Sequence, residues 1–433
     1  MDRLVTAVRR YEWGSRTAIP ALRGVPPDGE PQAELWMGAS SRVGEVPLSA
    51  VIEADPAGVL GAEVVRAFGP RLPFLLKVLA VERPLSLQVH PDPAQAAAGF
   101  ADEERRGVPL DAPHRTYRDP HHKPEMLYAL TPFTGLSGFR PPASAADLLA
   151  RLDVPAVRPY VEALRAGGDA LRVVMSAILA QERQVTAEMV GAVRGLEEPY
   201  AGLAALYPGD PGVIAALLLN VVRLRAGAAL YVGAGVPHAY LSGMGVEIMS
   251  DSDNVLRCGL TRKHVDVPGL LQVVRFEPQV PEVVRGMDVG GETVYPVPAR
   301  EFRLSRVAVE GERVVGCGGP QILLCTQGRV EVRTLASAMV LRGGDSVFVP
   351  AGECSGSEVS DRTSQERRAA CETRGTGEQG VATKIPSTAG ETAETRAESP
   401  GTGCGGLRLR GTGELFRAAP GTEITSCAPS SYR

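Results

Sequence analysis

The sequence predicts a mainly β protein interrupted by a helical insertion, on three observations. Short apolar runs punctuated by Gly and Pro dominate residues 1–140, among them "PFLLKVLAV" (73–81) and "EMLYALTPF" (125–133), which is how strands bounded by turns read. From "PPASAADLLARL" (141–152) to "DPGVIAALLLNVV" (210–222) the Ala and Leu content rises and apolar residues recur at helical spacing. Beyond it, "GAALYVGAG" (227–235) and "GDSVFVPAG" (344–352) match position for position: a Gly, two small or polar residues, an apolar triplet, and a small-residue turn ending in Gly. Such a pair is an internal repeat.

Each element has its own signal. "PLSLQVHPD" (84–92) closes an apolar run with two polar residues spaced two apart. A strand there turns Gln88 and His90 to one face and Leu87 and Val89 to the other. Ser144 and Asp147 are placed as a capping box for the first helix of the insertion. Asp210 followed by Pro211 reads as an N-cap with proline in the first turn. The insertion therefore spans 141–220, between two β regions. Residues 354–406 contain no Leu, Phe, Tyr, Trp or Met, too little apolar surface to offset chain entropy, and are expected to be a disordered low-complexity insertion. "LRLRGTGELFRAAP" (407–420) then alternates like a strand and is expected to close the sheet that "SVFVPAGE" began.

Composition narrows the function. With 433 residues, 44% hydrophobic and 22% charged, the chain has the make-up of an ordinary globular protein with room for two or three domains. A net charge of −4 provides no basic field for nucleic acid and no polybasic membrane patch. Any anionic ligand must be met by a local cluster of cations. "MDRLVTAVRRYEWGSR" lacks the apolar core of a signal peptide, and no apolar stretch is long enough to span a bilayer, so a cytoplasmic location is expected. Seven cysteines without CxxC spacing indicate neither a disulfide framework nor a thiolate zinc site, and Cys258, Cys317 and Cys325 read as small core residues.

The repeated strand and turn resemble the cupin-like jelly roll, in which a metal-binding His lies three residues beyond the last Gly. The first copy has His238 there and the second has Ser355. The resemblance implies two cupin-like jelly-roll β-barrels, a bicupin, plus an α-helical domain. A catalytic metal-binding barrel takes 1–140 and 221–270, the helical domain 141–220, and a second barrel without metal ligands 271–353 and 407–433.

Gln88 and His90 have companions. "DPHHKPEMLYAL" carries His121, His122, Lys123 and Glu125, and the segment from 236 to 267 carries His238, Glu247, Asp253, Arg257 and Lys263. One amide, two imidazoles and one carboxylate suit a divalent ion of borderline softness, zinc first, with positions left for water or substrate. A single carboxylate against such an ion leaves a net positive site, which favours an anionic substrate. Singly, each element has a plainer reading: a core histidine, a solvated turn, surface charges, a capping loop in "SDSDN".

Taken in order, "YEWGS", "PFLLKVLAVERPLSLQVHPD", "HKPEMLYAL", "VPHAYLSGMGVEIMSDSDNVLRCGLTRKHVDV" and "GPQILLC" resemble the type I mannose-6-phosphate isomerases, also called phosphomannose isomerases. The resemblance runs to Glu353 and resumes at residue 407. It implies one Zn2+ per chain on Gln88, His90, Glu125 and His238, a catalytic Arg257, and Lys77, Ser86 and Lys263 around a substrate phosphate. It also places Tyr240, Glu247 and Asp253 in the same pocket and leaves Lys123, Glu247 and Asp253 as candidates for the proton-transfer base. The activity implied is interconversion of mannose 6-phosphate and fructose 6-phosphate, which would feed mannose metabolism and GDP-mannose synthesis. The partner is thus a small sugar phosphate, with neither nucleic acid nor membrane, and the oligomeric state is left open, a monomer included. Two rivals differ in kind. A cupin oxygenase would want iron and a His-x-His motif where Gln88 stands, and a sugar-phosphate sensor would lose a catalytic group, whereas Arg257, Lys123 and Glu125 are all present.

Overall fold

The structure is a computed structural model that describes residues 1–354 and 406–421. It is a mixed α/β fold dominated by strands, which gather into two sheets of eleven and ten. The first sheet runs Glu282–Val284, Ala229–Val232, Glu125–Ala129, His238–Ser250, Phe74–Val81, Glu34–Met37, Ala7–Arg9. Leu87–Val89 and Phe133–Phe139 also pair with the long His238–Ser250 strand, and Leu256–Gly259 pairs with Leu87–Val89. The second sheet is centred on Arg303–Gly316, Gly406–Ala419, Gln321–Arg333 and Ser346–Val349, and the N-terminal strand Asp2–Val5 joins it through Ser346–Val349.

Side-chain alternation sets what each face buries. Along Phe74–Val81, residues Phe74, Leu76, Val78 and Ala80 pack with Ile322, Leu324, Phe348 and Phe416 of the second sheet, so the two sheets share one core. The opposite face carries Leu79 and Val81, which pack with Leu127, Ala129, Leu230, Val232 and Tyr240. Period-two geometry puts Lys77 and Glu125 on this inner face, polar residues among apolar ones. Leu87 and Val89 belong to the core shared with the helices, so Gln88 and His90 turn the other way, as expected.

The insertion folds as expected, with α-helices Pro142–Ala150, Arg158–Ala166, Ala170–Leu179, Arg183–Val193, Tyr200–Leu206 and Pro211–Ala216. Asp210 caps the last of them, its side chain accepting from Gly212 N at 2.7 Å. The Ser144–Asp147 capping box does not form. Pro142 occupies the first turn, Pro141 is the N-cap, and Ser144 falls inside the helix, because the fixed φ of proline starts the helix early. The region before 140 is also less purely β than expected. It holds helices Ala18–Arg23, Leu48–Ala54, Pro56–Leu60, Ala62–Phe68 and Pro93–Arg105. The last of these has the capping box, with Asp92 accepting from Gln95 N at 2.8 Å and Gln95 accepting from Asp92 N at 2.9 Å.

Both copies of the repeated string form a strand. Ala229–Val232 and Ser346–Val349 occupy the same places in their nine-residue strings, each entered through a glycine at positive φ, 94° at Gly227 and 82° at Gly344. The copies then part: one continues into the strand that begins at His238, the other into a short helix, Ala351–Cys354. Ser355 and the expected disorder of 354–406 fall on or across residues outside those described. Cys258 and Cys325 are buried and free. Cys317 is half-buried and disulfide-bonded, which corrects its reading as a plain core residue. Among the described residues no helix is long and apolar enough to cross a membrane.

Gly406–Ala419 does close the second sheet, paired along its length with Arg303–Gly316 and on its other edge with Gln321–Arg333. The chain leaves and re-enters at one place. Glu353 accepts from Thr334 Oγ1 at 2.7 Å, while Arg408 pairs across from Arg333. Replacing 355–405 by a short Gly/Ser turn that retains Cys371 and Cys404 is therefore expected to preserve the melting temperature, since loop length contributes only about 0.6 kcal/mol per doubling. A fall of several degrees on excision would show that the segment stabilises the fold.

Candidate metal centre and active site

Four neighbouring strands build the site. His238 lies opposite Gln88 in register, and Arg257 lies opposite Gln88 on the other side. Cross-strand partners share a face, so all three side chains point inward. Glu125 begins its own strand, opposite Val232 and Met249. His90, Glu125 and His238 are essentially inaccessible to solvent, and one ligand atom from each lies within 4.8 Å of the others. His238 Nε2 is 3.0 Å from Glu125 Oε1, and His90 Nε2 is 3.4 Å from Oε2. Gln88 Nε2 stands 3.4 Å from His238 Nε2.

The ring orientations follow from the partners. His90 Nδ1 faces the Asn254 carbonyl at 2.8 Å and His238 Nδ1 faces the Val236 carbonyl at 2.9 Å. A carbonyl only accepts, so each Nδ1 carries a proton and each Nε2 is the ring nitrogen left to face the site. Burial, reinforced by Lys123, lowers the His90 pKa to about 4, which keeps the ring neutral. His90 Nε2 is buried without a hydrogen-bond partner. Two ring nitrogens and a carboxylate thus converge with nothing between them to bind them together, a donor set that a divalent cation satisfies. The backbone carbonyls behind both rings are the outer partners that metal-bound histidines use to fix orientation. Tyr240 Oη steadies Glu125 from the side, donating to Oε1 at 2.9 Å.

Beside this triad lie Lys77 and Glu247, opposite one another in register and 3.4 Å apart. Burial alone would lower the Lys77 pKa, yet Glu247, Glu34, Glu125 and Asp253 together hold it above the ordinary lysine value. Burial, with Glu125 and Glu34 nearby, raises Glu247 to about 7 against the pull of Lys77. Lys123 is buried as well, and burial lowers its pKa. Glu125, Glu247 and Asp253 thus act on both lysines, and Glu34 on Lys77 as well. Trp36 lies across from Lys77, whose ammonium sits 4.8 Å from the ring centre.

A second charge cluster gathers around Arg257. Burial disfavours the charge on Arg257, as does Arg118, and Lys263 is disfavoured by burial, then Arg257 and Arg118. Three cations gathered in this way suit an anionic group. The helical insertion helps to hold them. Asp210, besides capping its helix, accepts from Thr261 N at 3.0 Å. Gly212 also packs so tightly on Gly259 that a Cβ would lie 2.7 Å from the Gly259 Cα. Ser86 is half-buried, and Lys263 and Asp253 are exposed. Asp253 N donates to Asp119 Oδ2 at 2.9 Å. No motif or spacing in the sequence marks Arg118, Glu34, Trp36 or Asn254 as site residues. The nearest signal for Asn254 is "SDSDN", which reads as a loop.

Residues 1–142 match the family model described as Phosphomannose isomerase type I, catalytic domain. The chain is 36% identical over 376 residues to the mannose-6-phosphate isomerase of Escherichia coli, an alignment covering 82% of this chain and 95% of that one. The chain belongs to the type I phosphomannose isomerase family. The mannose-6-phosphate isomerase of Salmonella typhimurium is 39% identical over 386 residues, with the same coverage. Solved phosphomannose isomerase structures extend the likeness to the whole fold. A mannose 6-phosphate isomerase bound with zinc and yttrium aligns at a TM-score of 0.79 and 32% identity, covering 97% of this chain and 99% of that one. The apo form from Salmonella typhimurium aligns at 0.80 and 32%, with equal coverage.

Proposed function

We propose that the chain interconverts D-mannose 6-phosphate and D-fructose 6-phosphate at a single zinc ion held by Gln88, His90, Glu125 and His238. One observation carries this reading: in a phosphomannose isomerase chain, both histidine Nε2 atoms and the Glu125 carboxylate converge with both Nδ1 protons already spent on backbone carbonyls. Zinc bound there would supply a Lewis acid that polarises the substrate oxygens at C1 and C2.

The remaining steps fall to the chain's own residues. Isomerisation takes a proton from one of two adjacent carbons and returns it to the other, with negative charge developing on oxygen in between. Arg257, in register with Gln88, supplies fixed positive charge where that oxygen sits. Lys123 and Glu247 are both buried beside the triad, and burial disfavours the charged form of each, so either can hold or pass a proton within the pocket. Asp253 is the third candidate, exposed and acting on Lys77 and Lys123 through its charge. Lys77, Ser86 and Lys263 serve the phosphate end, which anchors the sugar and positions its reacting carbons. Tyr240 orients Glu125.

The same reading assigns a metal-holding cupin-like barrel to 1–140 and 221–270, a helical domain to 141–220, and a second barrel without ligands to 271–353 and the strand from 407. A coupled assay that converts fructose 6-phosphate into a reduced nicotinamide signal tests the activity. Zinc-loaded protein is expected to turn over mannose 6-phosphate. Sugar-phosphate binding without turnover would favour a sensor instead.

A further inference from the structure

Asn254 has no access to solvent, and its side-chain amide uses donors and acceptor alike. Oδ1 accepts from the backbone N of Arg118 at 2.7 Å and of Asp119 at 3.3 Å. Nδ2 donates to the carbonyls of Asp119 at 2.7 Å and His121 at 2.8 Å. Its own carbonyl accepts from His90 Nδ1. One residue therefore grips the 118–121 turn with its side chain and a triad histidine with its backbone. Ser252 and Ser250 support the grip, donating to the carbonyls of His121 at 3.1 Å and His122 at 2.5 Å. The gripped turn begins at Arg118 and leads into Lys123 and Glu125. On Asn254's other side the chain runs directly to Arg257.

We propose that Asn254 is a positioning residue that locks the metal centre and the Arg118, Arg257 and Lys263 cation cluster into one geometry. Its side chain sets where Arg118 and the 121–125 segment lie, and its carbonyl sets the His90 ring. The inference rests on the functional reading above and goes beyond it, since Asn254 touches neither ion nor substrate. Asparagine suits the place because the turn presents two N–H groups and two carbonyls to it. Aspartate would keep the acceptor but turn a carboxylate on two carbonyls, and an apolar residue would take away the partner of the Arg118 and Asp119 N–H groups and of the Asp119 carbonyl, leaving the His121 carbonyl to Ser252 alone.

The test compares wild type with Asn254→Ala and Asn254→Asp, using zinc affinity measured against a chromogenic chelator and the visible spectrum of the cobalt-substituted protein. Outer partners of metal-bound histidines typically control about 10–100-fold in affinity. Asn254→Ala is expected to bind zinc at least about tenfold more weakly and to shift the cobalt bands. At saturating zinc its KM for mannose 6-phosphate should rise by a larger factor than kcat falls. Asn254→Asp should lie between, and it decides the question by the same readings if the alanine variant does not fold. Variants with a lowered melting temperature but unchanged zinc affinity, cobalt spectrum and KM would reduce Asn254 to a stability residue and overturn the proposal. A wild-type chain that binds no zinc would overturn the functional reading with it, whereas zinc-binding wild type with equally tight variants would overturn the positioning role alone.

Discussion

Chelation of the purified protein is expected to lower turnover at least about a hundredfold, and added zinc to restore it. A Lewis acid at the reacting oxygens contributes several kcal/mol to the transition state, and each 1.4 kcal/mol is about tenfold in rate. The chain's own residues do not replace it. Lys77 is already engaged by Glu247 at 3.4 Å, and burial disfavours the charge on Lys123 and on Arg257. Metal removal should also lower the melting temperature, because the two Nε2 atoms and the carboxylate are then left facing one another in a buried pocket. A free ion at about 100 times its Kd stabilises by about 2.7 kcal/mol. Glu125→Ala and His238→Ala should each lose zinc, measured as metal per chain after gel filtration. Undiminished turnover in protein shown to be metal-free would end the zinc reading.

The Arg257→Ala variant should have a kcat lower by about 10²–10³ with a much smaller change in KM, the range seen when one fixed donor to a developing oxyanion is removed. The geometry that motivates this is register. Arg257 stands opposite Gln88, whose strand lies between those of Arg257 and His238, so its place is fixed by the sheet rather than by a loop. Lys263, exposed and four residues beyond the end of that strand, is expected to behave differently. Lys263→Ala should raise KM for mannose 6-phosphate and have no effect with unphosphorylated mannose. Steady-state kinetics of both variants on both sugars separates the roles, and an Arg257→Ala variant altered only in KM would be reassigned to phosphate binding.

Much of the site was legible because it sits on strands. Spacing by two is enough to put Gln88 and His90 on one face with Leu87 and Val89 on the other, and the observed cores divide that way. The closing strand at 407 was legible for the same reason, through alternation that matched its partners at Arg303–Gly316. Local signals did less well where two competed. At Pro141–Pro142 the proline geometry overrode the Ser144 cap, and in 1–140 the turn residues that suggested strands also delimit five helices, four of them short.

What the sequence determined by itself is therefore the identity and facing of side chains along each strand, since a period of two follows from backbone geometry without knowledge of any neighbour. That suffices for the shared facing of Gln88 and His90, while Glu125, His238 and Lys77 follow from residue type and from the resemblance of the quoted strings to the family. Only the tertiary structure decided which carbonyl orients each histidine ring, how Glu125, Glu247 and Asp253 come to act on both Lys77 and Lys123, and that Arg118 joins Arg257 and Lys263. Only there does Asn254 cease to be a loop residue and become the contact between the 118–121 turn and His90. These are distances between atoms far apart in the chain, and electrostatic and hydrogen-bond energies depend on distance and burial. Neither quantity is set until the sheets and the insertion have packed.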